Sequence, residues 1–132
     1  MRGLVNLSFL AMALCFCGHG YAATFYVSPD GDDSDAGSKN APWETIQYAA
    51  YNAVAGDKVL VREGRYNETV YVENSGSETG GYIVFASYPG ETAVLDGTGL
   101  SIPYGENGLF QIENKQYIRI SGFLIRPETQ PT

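Results

Sequence analysis

The residues that most invite a chemical reading lie in one polar loop, Asp30 to Asn40 (DGDDSDAGSKN), with carboxylates at Asp30, Asp32, Asp33 and Asp35. Calcium takes several carboxylate oxygens on a flexible turn, so these four are the candidate metal ligands. The EF-hand spacing is not met. Counted from Asp33, Glu44 takes the last place, but Gly37 and Ser38 stand where a ligand and the required glycine belong. A solvated loop that turns through Asp, Gly and Ser fits the same residues. Among bases, none of Lys58, Arg62, Arg65, Lys115, Arg119 and Arg126 adjoins an aspartate cluster, although Lys58 follows Asp57. The lone histidine, His19, falls in an N-terminal leader, so histidine-activated nucleophiles and histidine–metal sites have no residue in the mature chain. Tyr66, Tyr71 and Tyr88, with Tyr104, are expected to face outward, where a tyrosine ring can stack on a sugar.

These side chains need a frame, and the stretch Lys58 to Gly97 supplies a rhythm for one. Val59 and Val61 are followed 24 positions later by Ile83 and Phe85, and Val70 by Val94 and then Ile118 at the same step. Self-similarity with a period in the twenties marks a stacked-coil architecture. The expected fold is all-β: a parallel β-helix of about three coils of about 24 residues, with Val59, Val61, Val70, Val72, Ile83 and Phe85 inward and Arg65, Tyr66 and Tyr71 outward. Ile118, Ile120, Phe123 and Ile125 carry the pattern on, while Phe110 and Ile112 fall out of step behind a longer loop, Thr98 to Gly108. Ahead of the coils, Thr24 to Ser28 alternates as a first strand. A helix is expected over about Trp43 to Ala55, since Ile46, Ala49, Ala50, Ala53 and Val54 form one apolar stripe. Pro42 suits its first turn and Gly56 its C-terminal cap. Such a helix covers the open start of the stack.

The ends are different in kind. Arg2, the apolar run Leu4 to Cys17 and Gly20-Tyr21-Ala22 read as a signal peptide over residues 1–22, cleaved after Ala22, with Ala23 as second choice. Residues 23–57 then hold the first strand, acidic loop and capping helix, and 58–132 the coils. Both cysteines, Cys15 and Cys17, leave with the leader, so the mature chain rests on its core or on metal rather than disulfides. Seven basic side chains then face fifteen acidic ones, a balance that argues against nucleic acid and anionic membranes as partners. It would also repel an acidic polysaccharide unless bound cations or a local basic patch compensated. Arg126 to Thr132 follows a strand without a cap, so the expectation is that the stack is incomplete here, the alternative being a short chain closed by a partner at that end.

Tyr26-Val27-Ser28-Pro29-Asp30-Gly31, Ala41-Pro42-Trp43-Glu44-Thr45-Ile46-Gln47, Val54-Ala55-Gly56-Asp57-Lys58-Val59 and Glu63-Gly64-Arg65-Tyr66 resemble the opening of secreted bacterial right-handed β-helix proteins. Glu68-Thr69-Val70, Ser87-Tyr88-Pro89-Gly90-Glu91 and Leu95-Asp96-Gly97 extend the likeness to the pectin-lyase-like superfamily and its family-nine pectate lyases. The resemblance implies a secreted polysaccharide lyase that cleaves uronate glycans by β-elimination, with a lysine base and an aspartate-rich calcium site, and a monomer is expected at full length. No position of this sequence matches those two motifs, so no catalytic residue is assigned and the chain alone is expected to be inactive. The alternative is a non-catalytic glycan-binding or surface protein that uses the outward tyrosines.

Overall fold

A computed structural model describes residues 22–102 and 108–126. The leader lies almost wholly outside the described residues, as does Tyr104. The described residues form nine short strands and one helix in order: β1 (Thr24–Val27), α1 (Ile46–Asn52), β2 (Lys58–Val61), β3 (Gly64–Tyr66), β4 (Val70–Tyr71), β5 (Ile83–Ser87), β6 (Ala93–Asp96), β7 (Phe110–Gln111), β8 (Ile118–Ser121) and β9 (Leu124–Arg126). They form three parallel sheets, ordered β1-β2-β5-β8, β3-β6-β9 and β4-β7. The coils β2-β3-β4 and β5-β6-β7 each lay one strand in each sheet, and β8 and β9 begin the next level, which is the stacked architecture the sequence implies.

Alternation along each strand sorts side chains between core and outside. In β2, Val59 and Val61 are buried while Lys58 is exposed, and in β5 Ile83 and Phe85 are buried. The stacking register differs from the 24-residue step. Val59 sits on Phe85, 26 positions on, and Ile83 sits on Ile118, 35 on. Val70 pairs with Phe110, not Val94, which lies between Arg65 and Leu124 in a different sheet. The second coil is longer because it carries the loop after β6. Phe110, out of step by count, is partly buried against the core from the third sheet, its ring edge-on to Phe85 at 5.3 Å and to Phe123 at 5.8 Å.

Side chains tie successive bends together. Asn67, between β3 and β4, donates to the carbonyls of Asp96 (2.8 Å) and Thr98 (2.9 Å) at the corresponding bend one coil on. Arg62 grips Glu91 with two N–H donors at 2.8 Å each, joining the turns after β2 and β5, and Glu91 also accepts from the Glu63 amide.

The helix is shorter than its stripe suggests. It starts after Thr45, whose hydroxyl accepts from the Tyr48 amide, and Ala53 rather than Gly56 closes it. Trp43 belongs instead to an extended segment bridged to Val27, where its ring stacks on Phe25 at 4.7 Å and its indole N–H donates to the Asp35 carbonyl. Ile46, Ala49, Ala50 and Ala53 are buried as expected, but Val54, beyond the helix, is exposed. The helix packs on β1 and β4 and so covers the start of the stack.

Candidate functional site

The acidic loop does not gather its carboxylates. Asp33 turns both oxygens to the helix entrance, accepting from the amides of Glu44 and Thr45 and from the Thr45 hydroxyl. Asp32 folds onto Ser34, whose amide and hydroxyl both donate to it and hold its carboxyl below the usual range. Asp35 contributes its backbone carbonyl to Trp43, and Asp30 lies exposed with its amide on the Ser28 hydroxyl. Among the described residues no group of three or more His, Cys, Asp or Glu could hold a metal ion. The signal that explains Asp33 was present in the sequence: it precedes Pro42-Trp43-Glu44-Thr45, a segment that needs acceptors for its free amides.

The sugar-stacking tyrosines separate. Tyr66 is buried, contrary to the outward direction expected of it, and its hydroxyl donates to the carbonyls of Arg62 (2.9 Å) and Val27 (3.3 Å). Burial raises its pKa, so it stays a neutral donor. Tyr71 is exposed on β4, beside Gln47, which bonds its backbone on both sides. Tyr88 is half-buried, with the Arg62 guanidinium 4.5 Å over its ring. Of these three tyrosines, Tyr71 alone is exposed.

A cleft of about 220 Å³ opens between Pro29, Glu44 and Thr45 on one side and Arg65 to Glu68 on the other. Glu68 closes its floor, accepting from the amides of Ile46 (3.1 Å) and Gln47 (2.8 Å). Burial pushes its carboxyl pKa up despite those two bonds. Both of its oxygens are engaged by backbone, so it braces the helix rather than standing free to move a proton.

Arg65, at the cleft edge, leads to a charge cluster that sequence reading passed over as a turn. Asp96 is fully buried, its Oδ1 accepting from the Thr98 amide and hydroxyl, which hold its carboxyl below the usual range. Its Oδ2 lies 2.7 Å from Arg65 Nε and 3.9 Å from Arg126. The three residues recur at about the spacing of the β3-β6-β9 register, and that recurrence is the signal that could have found them. This geometry can neutralise and position charge. It offers no free base.

Residues 25–131 match a family model described as the Pel9A-like, right-handed β-helix region. The chain belongs to that family. It is 40% identical over 101 residues to the uncharacterised protein YwoF of Bacillus subtilis (strain 168), a match covering 76% of this chain and 21% of that protein. It is 35% identical over 107 residues to pectate lyase PEL9 of Emericella nidulans, covering 73% of this chain and 26% of the relative. The chain therefore spans a fifth to a quarter of the length of these curated relatives. Among solved structures, a rhamnogalacturonan lyase superposes with a TM-score of 0.66 at 21% identity over 79% of this chain and 28% of its own, a likeness of fold. A structure titled as the complex of XylC with xylose superposes at 0.55 with 31% identity, over 64% of this chain and 14% of its own. Membership fixes the coil as right-handed, and one of the curated relatives is named a pectate lyase.

Proposed function

We propose that this chain supplies the opening coils of a secreted polysaccharide lyase acting on pectate or another uronate-containing glycan. The observation that carries the reading is the match to pectate lyase PEL9 across most of the chain and about a quarter of that enzyme. β-Elimination needs a base to remove the proton beside the uronate carboxylate and a cation to stabilise the charge that develops there. At the cleft neither group stands free, since Glu68 is held by the amides of Ile46 and Gln47. Arg62 is committed to Glu91, which raises its pKa further, and Arg65 is committed to Asp96. The chemistry is accordingly assigned to coils other than these, and these coils to scaffold.

Calcium would supply charge neutralisation at the substrate carboxylate. Asp30, Asp32, Asp33 and Asp35 do not fit it as a set, because Asp32 and Asp33 are directed to local donors, so no step is routed through it here. A second reading, a glycan-binding β-helix without chemistry, draws on the sugar-bound state of the XylC structure. The test is a longer product of the same gene, carrying further coils, incubated with polygalacturonate and calcium. Unsaturated uronates are the expected product. Retention of the glycan without cleavage would replace the lyase with the binding protein.

A further inference from the structure

The outward face of the β1-β2-β5-β8 sheet takes part in none of the braces or the cleft. Its strands turn alternate residues away from the core, and those residues include Lys58 on β2 and Arg119 on β8 but no Asp or Glu. On a chain of net charge −7 this face is locally positive. Lys58 and Arg119 are both register partners of Val84 on β5, so they stand on one line, two strand spacings or about 10 Å apart. Among the described residues neither has a carboxylate partner, in contrast to Arg62, Arg65 and Arg126.

Aromatic side chains form the neighbouring row, two residues earlier than Val84 and Arg119. Tyr82 and Tyr117 precede β5 and β8 and are 44% and 37% exposed, their rings edge-to-face at 5.6 Å. The Arg119 guanidinium lies 4.6 Å over the Tyr82 ring. A guanidinium stacked in this way keeps its in-plane N–H fork available for a carboxylate. Tyr117 is held in this place with a left-handed backbone, φ 57°, its carbonyl accepting from the Ile83 amide. Cations in line beside exposed rings suit a chain that repeats a carboxylate and a sugar face. A neutral glycan would leave the cations unused.

We infer that this face is a contact surface for an anionic glycan, with uronate carboxylates on Arg119 and Lys58 and a sugar ring against the Tyr82–Tyr117 pair. The choice of a uronate rests on the polysaccharide reading above. The surface is a binding site and requires no catalysis. The test is calorimetric titration of the 132-residue chain with de-esterified oligogalacturonate, its fully methyl-esterified form and single-stranded DNA. The expected result is binding of the de-esterified form alone, weakened by salt, by about threefold to fivefold in each of Lys58→Gln and Arg119→Gln, and in Tyr82→Ala. Lys39→Gln, whose ammonium instead faces the Tyr88 ring, should bind as the unaltered chain does. Equal binding of the methyl-esterified form or of DNA, or no loss in the Lys58→Gln/Arg119→Gln double variant, overturns the inference. Amide shift mapping on the unaltered chain provides a readout independent of any variant's folding, with perturbations at Lys58, Tyr82 and Arg119 expected and perturbations confined elsewhere contradictory. Failure here leaves the lyase assay untouched, and a longer product that binds without cleaving leaves this surface in place.

Discussion

At the scale of single residues, two glutamates with opposite shifts carry the inter-element ties. The paired donors of Arg62, with the Glu63 amide, pull the Glu91 carboxyl from 4.5 down to about 2. A depressed carboxylate contributes stability that is present above its unfolded value and is lost as pH falls through the folded one. Glu91→Gln should therefore lower Tm at pH 6, and the gap to the unaltered chain should close between about pH 4.5 and pH 2. A gap constant across that range in thermal melts would contradict the pairing. Glu68 has the reverse sign: burial raises its pKa, so its charged form is held at a cost that falls away as pH drops. Glu68→Gln leaves one helix amide without its acceptor, and urea titration should report a loss of about 1 kcal/mol.

At the scale of elements, packing decides what sequence rhythm only suggests. The alternation of β2 and β5 was legible, and with it the inward set. The register was not, because a slip of two positions keeps every apolar side chain on the same face. Val59 can therefore stack on Phe85 rather than Ile83 without disturbing the pattern. Tyr66 was misread for a related reason: β3 has only three residues, too few to display a period, and burial of its ring depends on two carbonyls supplied by other segments. The helix is shortened because Trp43 gains more by stacking on Phe25 and bridging Val27 than by starting a turn. Phe85, fully buried beneath Val59 and beside Phe110, should cost about 3–5 kcal/mol as Phe85→Ala, measured by denaturant unfolding. Gly31 faces the carbonyl oxygens of Pro42 and Trp43 so closely that a Cβ would overlap them. Gly31→Ala should destabilise by roughly 1–3 kcal/mol and loosen the loop against the Trp43 segment, seen as altered tryptophan fluorescence.

At the scale of the whole molecule, the proposed function separates fold from chemistry. Residues 25–131 carry the marks of a family because coil stacking imposes apolar alternation, bend residues and capping on nearly every segment. Function was legible only through resemblance. The acidic loop, which looked most like a metal site, spends Asp32 and Asp33 on local donors, and the buried Asp96 cluster was hidden in an ordinary-looking Asp-Gly turn. A solenoid can divide its labour in this way, since each coil needs only its neighbours for stability and any coil can carry a site. The division is tested most directly by assaying the 132-residue chain and a longer product carrying further coils side by side on polygalacturonate with calcium, following unsaturated uronate by absorbance. The expected result is product from the longer protein and none from these coils alone, and product from the 132-residue chain would contradict the assignment of its coils to scaffold.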